Sequence, residues 1–205
     1  MFIKKLINFV FNNRFELFFL FLALFLNIIV SPLIQKWFPI GISLAIPLDN
    51  LIPLIPIFIV PYQTHLLYMI FVVYLIWKDN IKRKKLVLAY FLVSLLSILV
   101  YIICQTEMVR PIIFSQDFFS NWIKFVYLFD SPTNAFPSLH VGLMTCALYF
   151  LDKKRIFVFI WGILIILAVL FIKQHFVLDL LGGFLFALIS ILIASIIVDK
   201  FYFKK

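Results

Sequence analysis

A histidine and an aspartate stand four residues apart in KQHFVLDLLGG, residues 173–183, at the head of the last long apolar stretch. On a helix that spacing puts His175 and Asp179 on one face, one turn apart, so the carboxylate reaches a ring nitrogen and fixes the tautomer. The other nitrogen then presents a lone pair, which attack on phosphorus or general-base catalysis requires. Ionisable groups at the edge of a bilayer are costly unless they have a function. The competing reading is a pair in which each residue merely satisfies the other.

Two further polar clusters carry the same kind of chemistry. In PSLH, residues 137–140, Pro137 reads as a first-turn residue after Thr133 and Asn134, which places Ser138 and His140 at a helix N-terminus. Free backbone N–H groups there bind anions. Ser138 adds a hydroxyl donor, and a protonated His140 supplies a proton to a departing oxygen. An ordinary capped helix start with an incidental histidine meets the same pattern. In QTEMVRP, residues 105–111, Pro111 favours an extended backbone at Arg110, whose planar guanidinium fits phosphate oxygens; a solvated loop arginine is the alternative. His65, close to Pro61 and Tyr62 at the start of a span, reads as interfacial packing.

The elements that must position these residues are membrane helices. With 65% hydrophobic and 13% charged side chains over 205 residues, there is too little polar surface to cover a soluble globule. Several uncharged runs approach the roughly 18 to 20 residues that cross about 30 Å of hydrocarbon. We expect one all-α, polytopic domain over residues 1–205, with six transmembrane helices at about 15–33, 62–77, 86–104, 136–151, 156–172 and 176–198. The basic, then long apolar N-terminus has no small-residue cleavage site and reads as a retained helix.

The net charge of +9 lies in short clusters between apolar runs, a topology signal rather than a nucleic-acid patch. Sorting the cations by side puts Lys4, Lys5, Arg14, Lys78, Lys82, Arg83, Lys84, Lys85, Lys153, Lys154, Arg155, Lys200, Lys204 and Lys205 on one face. Only Lys36, Arg110, Lys124 and Lys173 fall on the other. The richer face is cytoplasmic, so both termini are expected there, in what we read as the cell membrane, and the three polar clusters converge on the outer or luminal side. The stretch from Ser31 to Pro61 carries six prolines and is still apolar, which predicts short broken helices at the outer interface rather than a straight span. Cys104 and Cys146 fall inside spans with no metal-ligand spacing, so we expect neither a disulfide nor a zinc site. The 27 Phe are accounted for by lipid-facing surface.

These residues, in this order, resemble the type 2 phosphatidic acid phosphatase superfamily of lipid phosphatases and phosphotransferases, over roughly residues 49–183. PSLHV, KQHFVLDLLGG and the upstream LDNLIPLIPIFIVPY, from Leu48 to Tyr62, are similar to the branch containing inositol phosphorylceramide synthases. The resemblance implies that His175 attacks phosphorus to give a phosphohistidine, Asp179 orients it and His140 protonates the leaving oxygen. Arg110, Ser138 and Lys173 would hold the phosphate oxygens. It implies no metal and no cofactor, because cations of the protein stabilise the developing charge.

The sequence departs from the common phosphatase pattern at three places: Ile103 stands where a Lys is usual, Leu139 where Gly is usual and Val169 where Arg is usual. Lys173 is the expected replacement for one missing cation. The first functional expectation is therefore hydrolysis of a lipid phosphomonoester or pyrophosphate. The second is transfer of a phospho-head group to a lipid hydroxyl. A third, non-enzymatic reading is a transporter or structural membrane protein, against which stand spans whose centres are nearly free of charge. The identity of the lipid and the oligomeric state are left open.

Overall fold

The computed structural model describes residues 9–152 and 154–203. The termini, with Lys4, Lys5, Lys204 and Lys205, and also Lys153, lie outside the described residues. Three helices are long and apolar enough to cross a bilayer: α1, Arg14–Trp37; α4, Asn80–Ile103; and α8, Val177–Phe203. They mark the chain as a membrane protein. The short α2, Ile59–Gln63, and α3, His65–Leu75, join at a 43° bend, and the pair counts as at most a fourth span. The stretches expected to span at 136–151 and 156–172 are helices of 12 and 16 residues, α6, Leu139–Phe150, and α7, Ile156–Phe171. At about 1.5 Å per residue they run roughly 18 and 24 Å, short of full bilayer thickness on length alone.

Helix α4 is the centre of the bundle, packed against α1, α6 and α8. The side chains between them, Leu86, Tyr90, Val93, Leu143, Met144, Ala147 and Ala187 among others, are buried. In lipid, helices associate through close packing rather than water exclusion, and Gly183 makes the α6–α8 contact close: a Cβ there would lie 2.3 Å from the Ser138 carbonyl. One end of the bundle is fastened by a buried ion pair. Arg83 Nη2 donates to Glu16 Oε1 at 2.7 Å, and Arg83 stacks its guanidinium 4.2 Å from the centre of the Trp77 ring. The termini of the helices at the other end build the site.

The proline-rich stretch after α1 runs through the two-residue strand β1, Ile42–Ser43, and two 3-10 turns, Pro47–Leu51 and Pro56–Phe58. Each turn begins on a proline, whose fixed φ and missing N–H suit the first helical position. Strand β1 pairs in parallel with β2, Thr106–Glu107, directly after α4. One element was not expected from the sequence: α5, Phe118–Phe129, which carries Phe118, Phe125, Leu128 and Phe129 on its exposed surface and buries Ile123. Asp117 starts it, accepting from the Ser120 backbone N–H at 3.0 Å.

Candidate functional site

The sequence around His175 folds as a helix stop followed at once by a helix start. Helix α7 ends in a Schellman motif, in which Lys173 N–H bonds the Leu170 carbonyl at 3.1 Å and Gln174 N–H bonds the Val169 carbonyl at 2.9 Å. The left-handed residue this motif needs is Lys173, φ 54°, rather than glycine. Three residues on, α8 begins, and Asp179 accepts from the Phe176 backbone N–H at 2.8 Å, one half of a capping box. Asp49 caps the same helix from outside, its Oδ1 accepting from Val177 N–H at 2.8 Å. His175 is therefore held in a turn fixed on both sides, and it is 7% exposed.

His175 Nδ1 lies 3.5 Å from Asp179 Oδ2, and its Nε2 faces His140 Nδ1 at 3.4 Å. The carboxylate thus approaches one nitrogen while the other turns to the second histidine. His140 sits in the first turn of α6. Its ring is flanked by Tyr62, with centroids 4.9 Å apart, and by His65, at 4.4 Å and edge to face. His65 Nδ1 bonds the Tyr62 carbonyl at 2.9 Å, which leaves its Nε2 unengaged among the described residues. Three imidazoles so close repel one another when more than one is charged.

Ser138 is the N-cap of α6, and its Oγ accepts from Val141 N–H at 3.4 Å. Pro137 stands one residue before that cap, outside the helix rather than in its first turn; Ser138, with an extended backbone, takes the boundary position. The Ser138 backbone N–H donates to the Asp179 carbonyl at 2.9 Å, which joins the starts of α6 and α8 directly.

Arg110 reaches the site through Gln174. Its Nη2 donates to Gln174 Oε1 at 2.5 Å, and its Nη1 to the Asp130 carbonyl at 2.6 Å. Asp130 Oδ2 pairs with it at 3.2 Å, and its guanidinium lies 4.4 Å from the centre of the Tyr127 ring. The guanidinium is thus one side chain removed from His175. Lys173 turns the other way: its ammonium donates to the carbonyls of Asp49 at 3.1 Å and Ile52 at 2.5 Å. Burial lowers its pKa, and the Asp49 carboxylate acts in the opposite direction.

A cavity of about 280 Å³ collects these groups. His65, His140, His175, Tyr62 and Gln174 line it, whereas Arg110, Ser138, Lys173 and Asp179 stand behind or beside the wall. Among the described residues no group of three or more His, Cys, Asp or Glu side chains is arranged to hold a metal ion. Reading the sequence alone missed His65, Gln174, Asp49 and Asp130. His65 was read as packing, because its place in the cavity comes from α6 bringing His140 against its ring. Gln174 carried no signal, because its role follows only from where Arg110 lands.

No curated protein and no solved structure matches the chain. A family model described as the PAP2 superfamily does match, over residues 52–193, from the proline-rich stretch into α8 and so across both histidine motifs; the chain belongs to the PAP2 superfamily.

Proposed function

We propose that the protein is a membrane lipid phosphatase that hydrolyses a lipid phosphomonoester or pyrophosphate through a phosphohistidine on His175. The observation that carries this reading is the pairing of His175 and His140 in one cavity, with a carboxylate behind the first ring. PAP2 superfamily members are generally phosphatases or phosphotransferases.

In the proposed cycle the Nε2 lone pair forms the N–P bond while the P–O bond to the leaving group breaks, and His140 gives that oxygen a proton. Water then attacks phosphorus, His140 takes back a proton, and the N–P bond breaks to release phosphate. Asp179 stabilises the positive ring formed in the first step. Arg110, acting beside Gln174, together with the α6 N-terminus at Ser138, supplies positive potential for the equatorial oxygens. In-line transfer needs phosphorus between the two nitrogens, at about 3–3.5 Å from the attacking one before bond formation. The 3.4 Å His140–His175 contact must therefore open for the substrate.

The cation asymmetry supports a catalytic face on the outer side, with the described part of the basic cluster at the opposite end of the bundle. A second reading is transfer of the phosphoryl or phospho-head group to a lipid hydroxyl, as in the inositol phosphorylceramide synthase-like branch. It is favoured by the proline-rich stretch, which resembles that branch's and docks on the catalytic turn through Asp49 and through Ile55 N–H on the Phe171 carbonyl at 2.9 Å.

The test is phosphate release from lipid phosphates by purified protein in detergent, with and without hydroxyl acceptors. His175→Ala should lower turnover by at least about a thousandfold, as expected for a lost nucleophile. Near-full activity in that variant overturns the reading. Labelled head group in a new lipid with little free phosphate selects the transferase.

A further inference from the structure

The cavity has a second wall that the histidine motifs do not account for, and it comes from α1, outside the matched residues 52–193. Asn27, Ser31 and Gln35 recur every fourth residue in a helix that is otherwise strongly apolar, and all three line the cavity that the histidines also line. Polar side chains within a membrane helix are costly and face an interior or a polar cavity. Between Phe25 and Ser31 the helix widens into a π turn, Leu26–Val30. Such turns are rare and frequently occur at functional sites.

The hydrogen bonds of this wall leave a one-sided chemistry. Asn27 Nδ2 donates to the Ala23 carbonyl at 2.7 Å and to Ser94 Oγ at 3.0 Å. Gln35 Nε2 donates to Asp130 Oδ1 at 3.3 Å and to the carbonyls of Ser131 and Thr133 at 3.2 and 3.0 Å. Ser31 Oγ accepts from Asn134 Nδ2 at 3.1 Å. The amide protons are thus all directed into the protein. What remains toward the cavity, among the described residues, is the amide oxygens of Asn27 and Gln35, the unused lone pairs of Asp130 and one hydroxyl on Ser31. An array dominated by acceptors attracts hydrogen-bond donors and disfavours anions, so the phosphate is better placed beside the histidines and the start of α6.

We infer that Asn27, Ser31 and Gln35 with Asp130 form a subsite for a hydroxyl-bearing group attached to the phosphorus, whether leaving or incoming. This rests on the phosphoryl-transfer reading of His175 and His140, which sets the phosphorus between those two rings. The subsite places α1 among the specificity-determining elements. A lipid phosphate with nothing beyond the phosphorus has no need of it. A head group rich in hydroxyls gains from it, because a site built to bond a hydroxyl discriminates strongly against a substrate lacking one.

The experiment uses full-length protein in detergent and two soluble probes, glycerol 1-phosphate and its hydroxyl-free analogue propyl phosphate, as competitors of phosphate release from phosphatidic acid. Wild type should be inhibited by the glycerol ester at concentrations at least about tenfold lower. Gln35→Leu and Asn27→Leu should bring that ratio to within about twofold of unity while leaving inhibition by inorganic phosphate unaltered. Ser94→Ala removes the same interhelical bond from outside the cavity and should keep the wild-type ratio, which separates recognition from helix packing. A ratio near unity in wild type, or one that survives both α1 substitutions, overturns the subsite while the histidine reading stands. Phosphate release that persists in His175→Ala overturns both.

Discussion

Lys173 has two possible duties, and replacing it with glycine and with methionine tells them apart. As a left-handed residue at the end of α7 it carries a backbone cost of about 1 kcal/mol that glycine does not. Against that stand its bonds to the Asp49 and Ile52 carbonyls. A hydrogen bond from a charged donor contributes about 1.5–3 kcal/mol. The lysine is only half-buried, so solvent screening puts the pair near the lower limit, about 1.5 kcal/mol together. Lys173→Met then loses about 1.5 kcal/mol and keeps the strain, whereas Lys173→Gly loses the same bonds and recovers about 1 kcal/mol.

The expected order of melting temperature is wild type, then Gly, then Met. About 1 kcal/mol between the two variants corresponds to roughly 2–4 °C at this chain length. Both variants free the Asp49–Ile52 turn from the segment that carries His175, so both should lower kcat by a similar factor. Neither should alter inhibition by inorganic phosphate, because the ammonium points to carbonyls and away from the cavity. The assays are thermal unfolding in detergent and phosphate-release kinetics with phosphate as inhibitor. A phosphate Ki that rises about tenfold or more in both variants, with no difference in melting between them, refutes the clamp and restores lysine as a phosphate ligand.

Gly183→Ala sets a Cβ 2.3 Å from the Ser138 carbonyl, a backbone atom that cannot turn aside, so α8 must move off α6; we expect a loss of about 1–3 kcal/mol in stability and of activity with it. Gly182→Ala meets only the Phe136 ring, a side chain able to rotate, and should be milder in the same unfolding assay. Arg110→Lys cannot bond Asp130 and Gln174 together, so kcat/KM should fall by about 10–100-fold with little change in melting temperature. Hydrogen bonds from Ser115 and then Ser120 hold the Asp117 carboxyl below its ordinary range. A depressed acid stabilises above its unfolded pKa, about 3.9, and the contribution is lost as pH falls through the lower folded value. Amide-exchange protection of α5 should therefore drop only in strongly acidic buffer, and in Asp117→Ala it should be low throughout.

The membrane character and the two histidine motifs were legible in the sequence because each rests on local rules, an apolar run or a short spacing of polar residues. His175 Nδ1 lies 3.5 Å from Asp179 Oδ2, but His175 stands in the turn before α8 rather than on the helix, so the contact does not come from one helical face as expected. What was not legible depends on where distant segments land. Lys173 lies two residues from His175 in sequence, yet the left-handed backbone at the end of α7 sends its side chain to the Asp49 turn. Helix α5 was hidden because its periodicity is amphipathic and short, and its start depends on a single Asp cap. His65 looked like packing because nothing local says that α6 will bring His140 against it.

The 3.4 Å contact between His140 and His175 bears on which ring must yield to a phosphoryl group. His175 is fixed by its own backbone: the Schellman turn precedes it, the α8 start follows it, and Asp179 and Asp49 bond that start from two sides. The His140 ring is held by contacts with other rings, those of Tyr62, His65 and His175. Aromatic contacts of that kind contribute about 0.5–1.5 kcal/mol each and tolerate rotation, whereas the His175 ring also faces the Asp179 carboxylate, 3.5 Å from Nδ1, which favours its present orientation. His140 is therefore the ring that moves. Residues of α1 line the same cavity as His140, so an arriving head group that occupies them also limits where the ring can go. Recognition by α1 and the position of the proton donor are then set by the same occupant, and a head group that fits α1 poorly should lower kcat as well as raise KM.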